Sequence, residues 1–135
     1  MELYKILQLR NEVFIVEQNC PYLDCDEKDF VAHHLCGWQD NRLVAYSRVL
    51  PPGISFAGKA SIGRVLTALS VRRHQLGKEL MTRSIREVYN LYGQVNIAIS
   101  AQYYLKRFYE SFSFAQISDI YLEDDIPHIR MELTA

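Results

Sequence analysis

No run of about 18 consecutive apolar residues occurs in this chain of 135 residues, so no membrane-spanning helix is expected. The N-terminus lacks the basic-then-apolar order of a secretory signal peptide, and together these absences predict a cytoplasmic protein with no membrane partner. Cysteine is scarce. Cys20, Cys25 and Cys36 are odd in number and form no even disulfide framework, so they read as thiols kept reduced. A dominant charge sign is missing as well: 15 Lys and Arg against 16 Asp and Glu leave a formal charge of −1. Gripping many phosphates takes a strongly basic face, so general nucleic-acid binding is not expected. Internal repeats, low-complexity stretches and linkers are also absent. With 49% apolar and 23% charged residues, the chain reads as one domain with a continuous core.

The apolar residues Leu3, Ile6, Leu7, Leu9, Val13, Phe14 and Val16 recur at helical spacing and predict a first helix from Glu2 to Gln18, stopped by Pro21. The acidic segment CPYLDCDEKD that follows reads as an ordered loop or short helical turn. Two strands, His34 to Trp38 and Leu43 to Leu50, form a hairpin around Asp40-Asn41. After Pro51-Pro52-Gly53, a third strand is expected from Ser61 to Leu69. A helix from Gln75 to Tyr92 then turns Leu76, Leu80, Ile85, Val88 and Leu91 to the core, with Gly93 as its C-cap. Val95 to Ile99 reads as a buried strand and Gln102 to Phe112 as a short helix. Phe114 to Tyr121 and Ile126 to Leu133 read as strands around Glu123-Asp124-Asp125. A hairpin on either side of a parallel strand-helix-strand unit gives an α/β layered domain with a mixed sheet.

The stretch from Ser70 to Met81, SVRRHQLGKELM, places two arginines, a histidine and a glycine where a strand becomes an amphipathic helix. A helix N-terminus has backbone N–H groups without intrahelical partners and the positive end of the dipole, which suits phosphate. Gly77 lets phosphate oxygens approach the main chain, and Arg72, Arg73 and Lys78 add charge. A solvated basic helix cap is the bland alternative. Cys20, Cys25, His33, His34 and Cys36 are zinc-ligand types, but Cys-x4-Cys followed by His-His-x-Cys lacks the paired knuckles of a zinc ribbon, and no metal site is expected.

Strand, basic glycine-containing turn, helix, strand and a short helix with a tyrosine: this order resembles the GNAT superfamily of acetyl-CoA-dependent N-acetyltransferases. The family pyrophosphate motif, Arg/Gln-x-x-Gly-x-Gly/Ala, is matched by Arg72-Arg73-His74-Gln75-Leu76-Gly77, with Gln75 in place of the first glycine. A second pattern, Asn-x-x-Ala-x-x-x-Tyr followed by Gly-Phe, is matched by Gln102-Tyr103-Tyr104-Leu105 through Tyr109, then Ser113-Phe114. The blocks LQLRNEVFIVEQNCPYLDCDEKD, HHLCGW, LVAYSRVL, IGRV and EDDIPHIRM are similar to the ElaA-like branch across nearly the whole chain.

The resemblance implies a mixed, mostly antiparallel GNAT-type sheet with a central parallel crossover, flanked by helices. One domain would span 1–135 without the strand that begins the family fold. It further implies acetyl-CoA as co-substrate and transfer of the acetyl group to a primary amine by direct attack in a ternary complex. Backbone groups of Val65, Leu66 and Thr67 would face the thioester and pantetheine. The amides from Arg73 through His74, Gln75, Leu76 and Gly77 to Lys78 would hold the pyrophosphate, with charge from Arg72 and Arg73. Tyr109 would be the general acid, and Gln102 would bond the pantetheine arm. The acidic base that some relatives carry falls at Ile97 here, which leaves Glu17, His34 and His128 as base candidates. The acceptor would be a small-molecule or peptide amine, drawn by the acidic loops at 24–29 and 123–125, with a homodimer as one assembly open to the chain. The competing reading is a non-catalytic acyl-CoA-binding or regulatory module.

Overall fold

The computed structural model describes residues 1–18, 24–72 and 75–135. Helix α1 (Glu2–Arg10) runs into a wider π-helical stretch, Asn11–Glu17, in place of one regular helix. Ile6, Leu9, Val13 and Phe14 are buried against Leu43, Val44, Tyr46 and Leu66 of the sheet. Strands β1 (His33–Gln39) and β2 (Arg42–Leu50) form the expected hairpin. Asp40 and Asn41 take φ of 50° and 66°, the left-handed pair that a two-residue turn demands. Every residue of β2 from Leu43 to Leu50 is buried, because α1 covers one face of the strand and α2 (Leu76–Tyr92) the other.

Strand β3 (Ala60–Thr67) ends two residues before the predicted limit, and Leu69–Val71 form a tight helical turn. Helix α2 buries Leu80, Met81, Ser84 and Val88, and the Ser84 hydroxyl lies 2.7 Å from that of Ser47 on β2. Leu91, expected in the core, is 37% exposed; Tyr89 and Tyr92 pack against the core at that end. Gly93, at φ 79°, closes the helix with its N–H on the Tyr89 carbonyl.

Strand β4 (Ile97–Gln102) begins and ends later than predicted. Gln102 is therefore a strand end and not the start of a helix. A single turn, Tyr103–Leu105, precedes the short helix α3 (Lys106–Glu110). The continuous strand expected from Phe114 to Tyr121 is two pieces, β5 (Ala115–Gln116) and β6 (Tyr121–Glu123). Both pair antiparallel with β7 (Ile126–Leu133). The sheet order is β1-β2-β3-β4-β7-β5, with β6 also on β7. This is the mixed α/β sheet that the strand pattern implied, mostly antiparallel as the family resemblance implied.

Among the described residues the sheet has one parallel pairing, and it positions the site. Strand β3 meets β4 only at Ala60↔Ile97 and Ser61↔Ala98; beyond these the two strands part. A bulge begins there. Tyr46 pairs with Leu66 but Arg48 pairs with Gly63, so Arg64 and Val65 together face Ser47, and Arg64 adopts φ 49°.

Candidate active site

Where β3 and β4 separate, a cleft of about 710 Å³ opens into the sheet. Its walls are β3 from Ile62 to Thr67, β4 at Ile99, Ser100 and Gln102, the π-helical Val13, Phe14 and Glu17, and Leu105, Phe108 and Tyr109. Arg72 and Gly77, before and within the first turn of α2, line one end. Glu123, Asp124, Ile126 and His128 line the wall formed by the β6–β7 hairpin.

At the α2 end, Gln75 is the N-cap residue and sits in the left-handed region at φ 58° and ψ 16°. Here the family motif carries glycine, which adopts this left-handed backbone at less cost than a residue with a Cβ. Gln75 adopts it with its side chain exposed. At Gly77, by contrast, an added Cβ would approach only Phe108, at 3.9 Å, so internal packing does not require glycine there. Open main chain at a helix N-terminus fits a phosphate group. Leu76 packs on the α1 side of the core, and Lys78 is exposed. Arg73 and His74 lie outside the described residues.

Arg72 is anchored, not free. Its Nε and Nη2 donate to the Thr67 carbonyl at 3.2 and 3.0 Å, and its Nη1 to Glu17 Oε2 at 2.5 Å. The carbonyl of Thr67 is taken by Arg72, which leaves the rest of the Val65 to Thr67 backbone for the pantetheine contacts that were expected there. Glu17, offered as a base candidate, lines the cleft and is the ion-pair partner of Arg72.

His34 is likewise committed. Its Nε2 lies 3.1 Å from the Asp29 carbonyl, which only accepts, so Nε2 carries the proton. Nδ1 then accepts from the Tyr46 hydroxyl at 2.5 Å. Burial pushes the Tyr46 pKa up to about 12 and keeps that donor in place. His34 is absent from the cleft walls and is a structural residue, not a base. His128 is in the cleft, 7% exposed, with Nδ1 donating to the Ile126 carbonyl at 2.7 Å. Its Nε2 stands 3.2 Å from Glu123 Oε2, and its ring stacks on Tyr121. Gln102 pairs with His128 across β4 and β7.

Tyr109 is buried in α3, between the edges of Phe108 and Phe114, and lines the cleft. Burial, reinforced by Tyr104, pushes its pKa up to about 12, so its hydroxyl keeps its proton at neutral pH. That is the state a proton donor needs.

Behind β3, Asp24, Asp26 and Asp29 of the acidic loop expected to draw an amine acceptor are paired with arginines of the chain itself. Arg10 is fully buried, its Nε on Asp24 Oδ2 at 2.8 Å and its Nη1 on Asp29 Oδ1 at 2.9 Å. Burial disfavours the charge of Arg10, but Asp29 and Asp24 outweigh it and raise its pKa. Arg48 donates to Asp26 at 2.6 Å and to Asp29 at 3.0 Å. Asp29 is depressed in turn: burial opposes its ionisation, and the hydrogen bonds from Arg10 and Arg48 overcome it. The sequence did hold a signal, because Arg10 falls on the apolar stripe between Ile6 and Phe14, and Arg48 inside an apolar strand. Arginines in such places are buried and paired.

Among the described residues, no group of three or more His, Cys, Asp or Glu is placed to hold a metal ion, and Cys25 and Cys36 are free thiols. Among the described residues, no helix is long and apolar enough to cross a membrane.

Comparison with known proteins agrees with the geometry. ElaA of Escherichia coli is 39% identical over 132 residues, covering 96% of this chain and 86% of that protein. Its crystal structure superposes with a TM-score of 0.89. An acyl-CoA N-acyltransferase from Pseudomonas aeruginosa is 43% identical with a TM-score of 0.93, covering 99% of this chain and 90% of that one. The fold alone is shared with an aminoglycoside 6'-N-acetyltransferase complexed with coenzyme A, at 17% identity and a TM-score of 0.72, over 96% of this chain and 88% of that one. Residues 24–135 match the acetyltransferase (GNAT) domain. The chain belongs to the GNAT family of acyltransferases, in its ElaA-like branch.

Proposed function

We propose that this transferase moves an acetyl group from acetyl-CoA to a primary amine by direct attack in a ternary complex. The observation that carries the reading is the parting of β3 from β4 after two residue pairs, with an open helix N-terminus at one end and a protonated tyrosine in the wall. The α2 N-terminus and Gly77 would hold the pyrophosphate, aided by Arg72, and Gln102 would meet the pantetheine arm. Backbone N–H groups freed by the splay would polarise the thioester carbonyl.

In the chemical step the amine lone pair attacks the carbonyl carbon and the C–S bond breaks. Tyr109 Oη gives its proton to the departing thiolate. His128 Nε2 takes the proton lost from the amine, and Glu123 at 3.2 Å stabilises the imidazolium that results. Glu123 and Asp124 at the cleft wall favour a cationic acceptor, a small amine or a peptide amino group. The free thiols of Cys25 and Cys36 fit a reducing, cytoplasmic setting.

The test is a panel of amines incubated with acetyl-CoA, with released thiol as the readout and His128→Asn as the companion variant. Amine-dependent thiol release that falls in His128→Asn is expected. Coenzyme binding with no thiol release for any amine class would favour the non-catalytic module instead.

A further inference from the structure

Asp24 belongs to neither helix nor strand, yet it is only 4% exposed and joins two elements far apart in sequence. Its Oδ2 accepts from Arg10 Nε of α1 at 2.8 Å, and its Oδ1 from Arg64 Nε of β3 at 2.9 Å. Its carbonyl accepts from Nη2 of both arginines, at 2.9 and 3.1 Å. Four charge-assisted hydrogen bonds therefore converge on one residue.

The arginine it grips is the one in the bulge. At φ 49°, Arg64 occupies a region where the Cβ of an L-residue crowds the carbonyl, so an arginine stays there only if something offsets the cost. The bulge also shifts the phase of the strand. Ile62 and Val65, three residues apart, both pack on the α2 side, while Leu66 packs on the α1 side. Without the extra residue, simple alternation would point Arg64 into the α2 core and carry β3 on beside β4.

We propose that Asp24 is a positioning residue that holds Arg64 in its left-handed conformation and so keeps the cleft between β3 and β4 open. Its catalytic consequence rests on acyl transfer in that cleft; the mechanical claim does not. Glycine takes φ near 50° without an anchor, so a glycine at position 64 should make the bulge indifferent to Asp24.

The test is a double-mutant cycle on the full chain, with amide hydrogen exchange at Val65, Leu66 and Thr67 as the readout. Asp24→Asn is expected to speed exchange about fivefold or more when Arg64 is present, the scale set by the left-handed penalty, and less than about twofold in an Arg64→Gly background. Equal acceleration in both backgrounds, or none in either, overturns the proposal. Should Asp24→Asn not fold, Arg64→Ala and Arg64→Gly both leave the Arg10–Asp24 pair intact. Faster exchange in the alanine variant alone supports the pin, and identical exchange overturns it.

Calorimetric titration of the same proteins with acetyl-CoA separates the two readings. Affinity that falls in Asp24→Asn and recovers in Asp24→Asn/Arg64→Gly supports the role in positioning. If the exchange pattern holds while the unsubstituted chain fails to bind acetyl-CoA, the pin stands and the functional reading falls.

Discussion

Arg72 closes on the carbonyl of Thr67 with two guanidinium nitrogens, Nε at 3.2 Å and Nη2 at 3.0 Å. The contact ties the end of β3 to the turn that enters α2, so the β3 wall and the α2 end of the cleft are set by one side chain. Arg72→Met keeps much of the aliphatic stem and loses both bonds. Hydrogen bonds from a charged group are worth about 1.5–3 kcal/mol each, so acetyl-CoA affinity should fall about tenfold or more, as measured by calorimetry. Unchanged affinity would remove Arg72 from coenzyme binding.

At Gly77 stability and binding should move in opposite directions. Nothing nearer than Phe108 at 3.9 Å meets an added Cβ, and an acidic residue in the first turn of a helix is favourable. Gly77→Asp is therefore expected to leave the melting temperature of the free protein unchanged or slightly raised. It should also prevent acetyl-CoA binding, because charge and bulk stand where phosphate would lie. A melting scan with and without acetyl-CoA reads both effects.

For Tyr109 the sign of the shift fixes the pH behaviour. Its pKa is raised to about 12, so the donor form persists through neutral and mildly alkaline pH. Loss of its proton should not limit turnover below about pH 10, the ordinary tyrosine value. Tyr109→Phe keeps the ring and removes the donor. It should lower turnover about 100-fold, the lower range for positioned proton transfer, with the acetyl-CoA dissociation constant little changed. Equal turnover would exclude Tyr109 as the acid.

Acid should destabilise the protein through Asp29. Its folded pKa lies below the usual 3.8, so the stability it contributes is complete above that value and is lost as pH falls through the folded pKa. The melting temperature should drop below about pH 4. Asp29→Asn should melt lower at pH 7, since it loosens two buried arginines, at a cost of about 3 kcal/mol. It should also show a smaller further loss on acidification. Parallel curves for the two proteins would assign the acid sensitivity elsewhere.

The hairpin around Asp40-Asn41, the strand-helix-strand unit and the tyrosine of α3 were legible because turn chemistry, periodicity and motif spacing are local. The bulge at Arg64 was not. It arises from a tertiary grip by Asp24, 40 residues away, and nothing in Ile-Gly-Arg-Val announces it. Leu91 keeps helical spacing yet is 37% exposed, because Val88, Tyr89 and Tyr92 take the core-facing positions at that end of α2. Gln102 reads in sequence as the first residue of the short helix, whereas pairing with His128 draws it into β4. The base was the least legible part, since Glu17, His34 and His128 differ only in which partners surround them.

The two-pair contact between β3 and β4 also bears on how the molecule breathes. With Ala60↔Ile97 and Ser61↔Ala98 the only rungs between them, the β1-β2-β3 half and the β4-β7 half meet across a seam of two residue pairs. Transient opening should concentrate along that seam. A ligand lodged there would replace missing rungs, so its arrival would couple two half-sheets that otherwise fluctuate with partial independence.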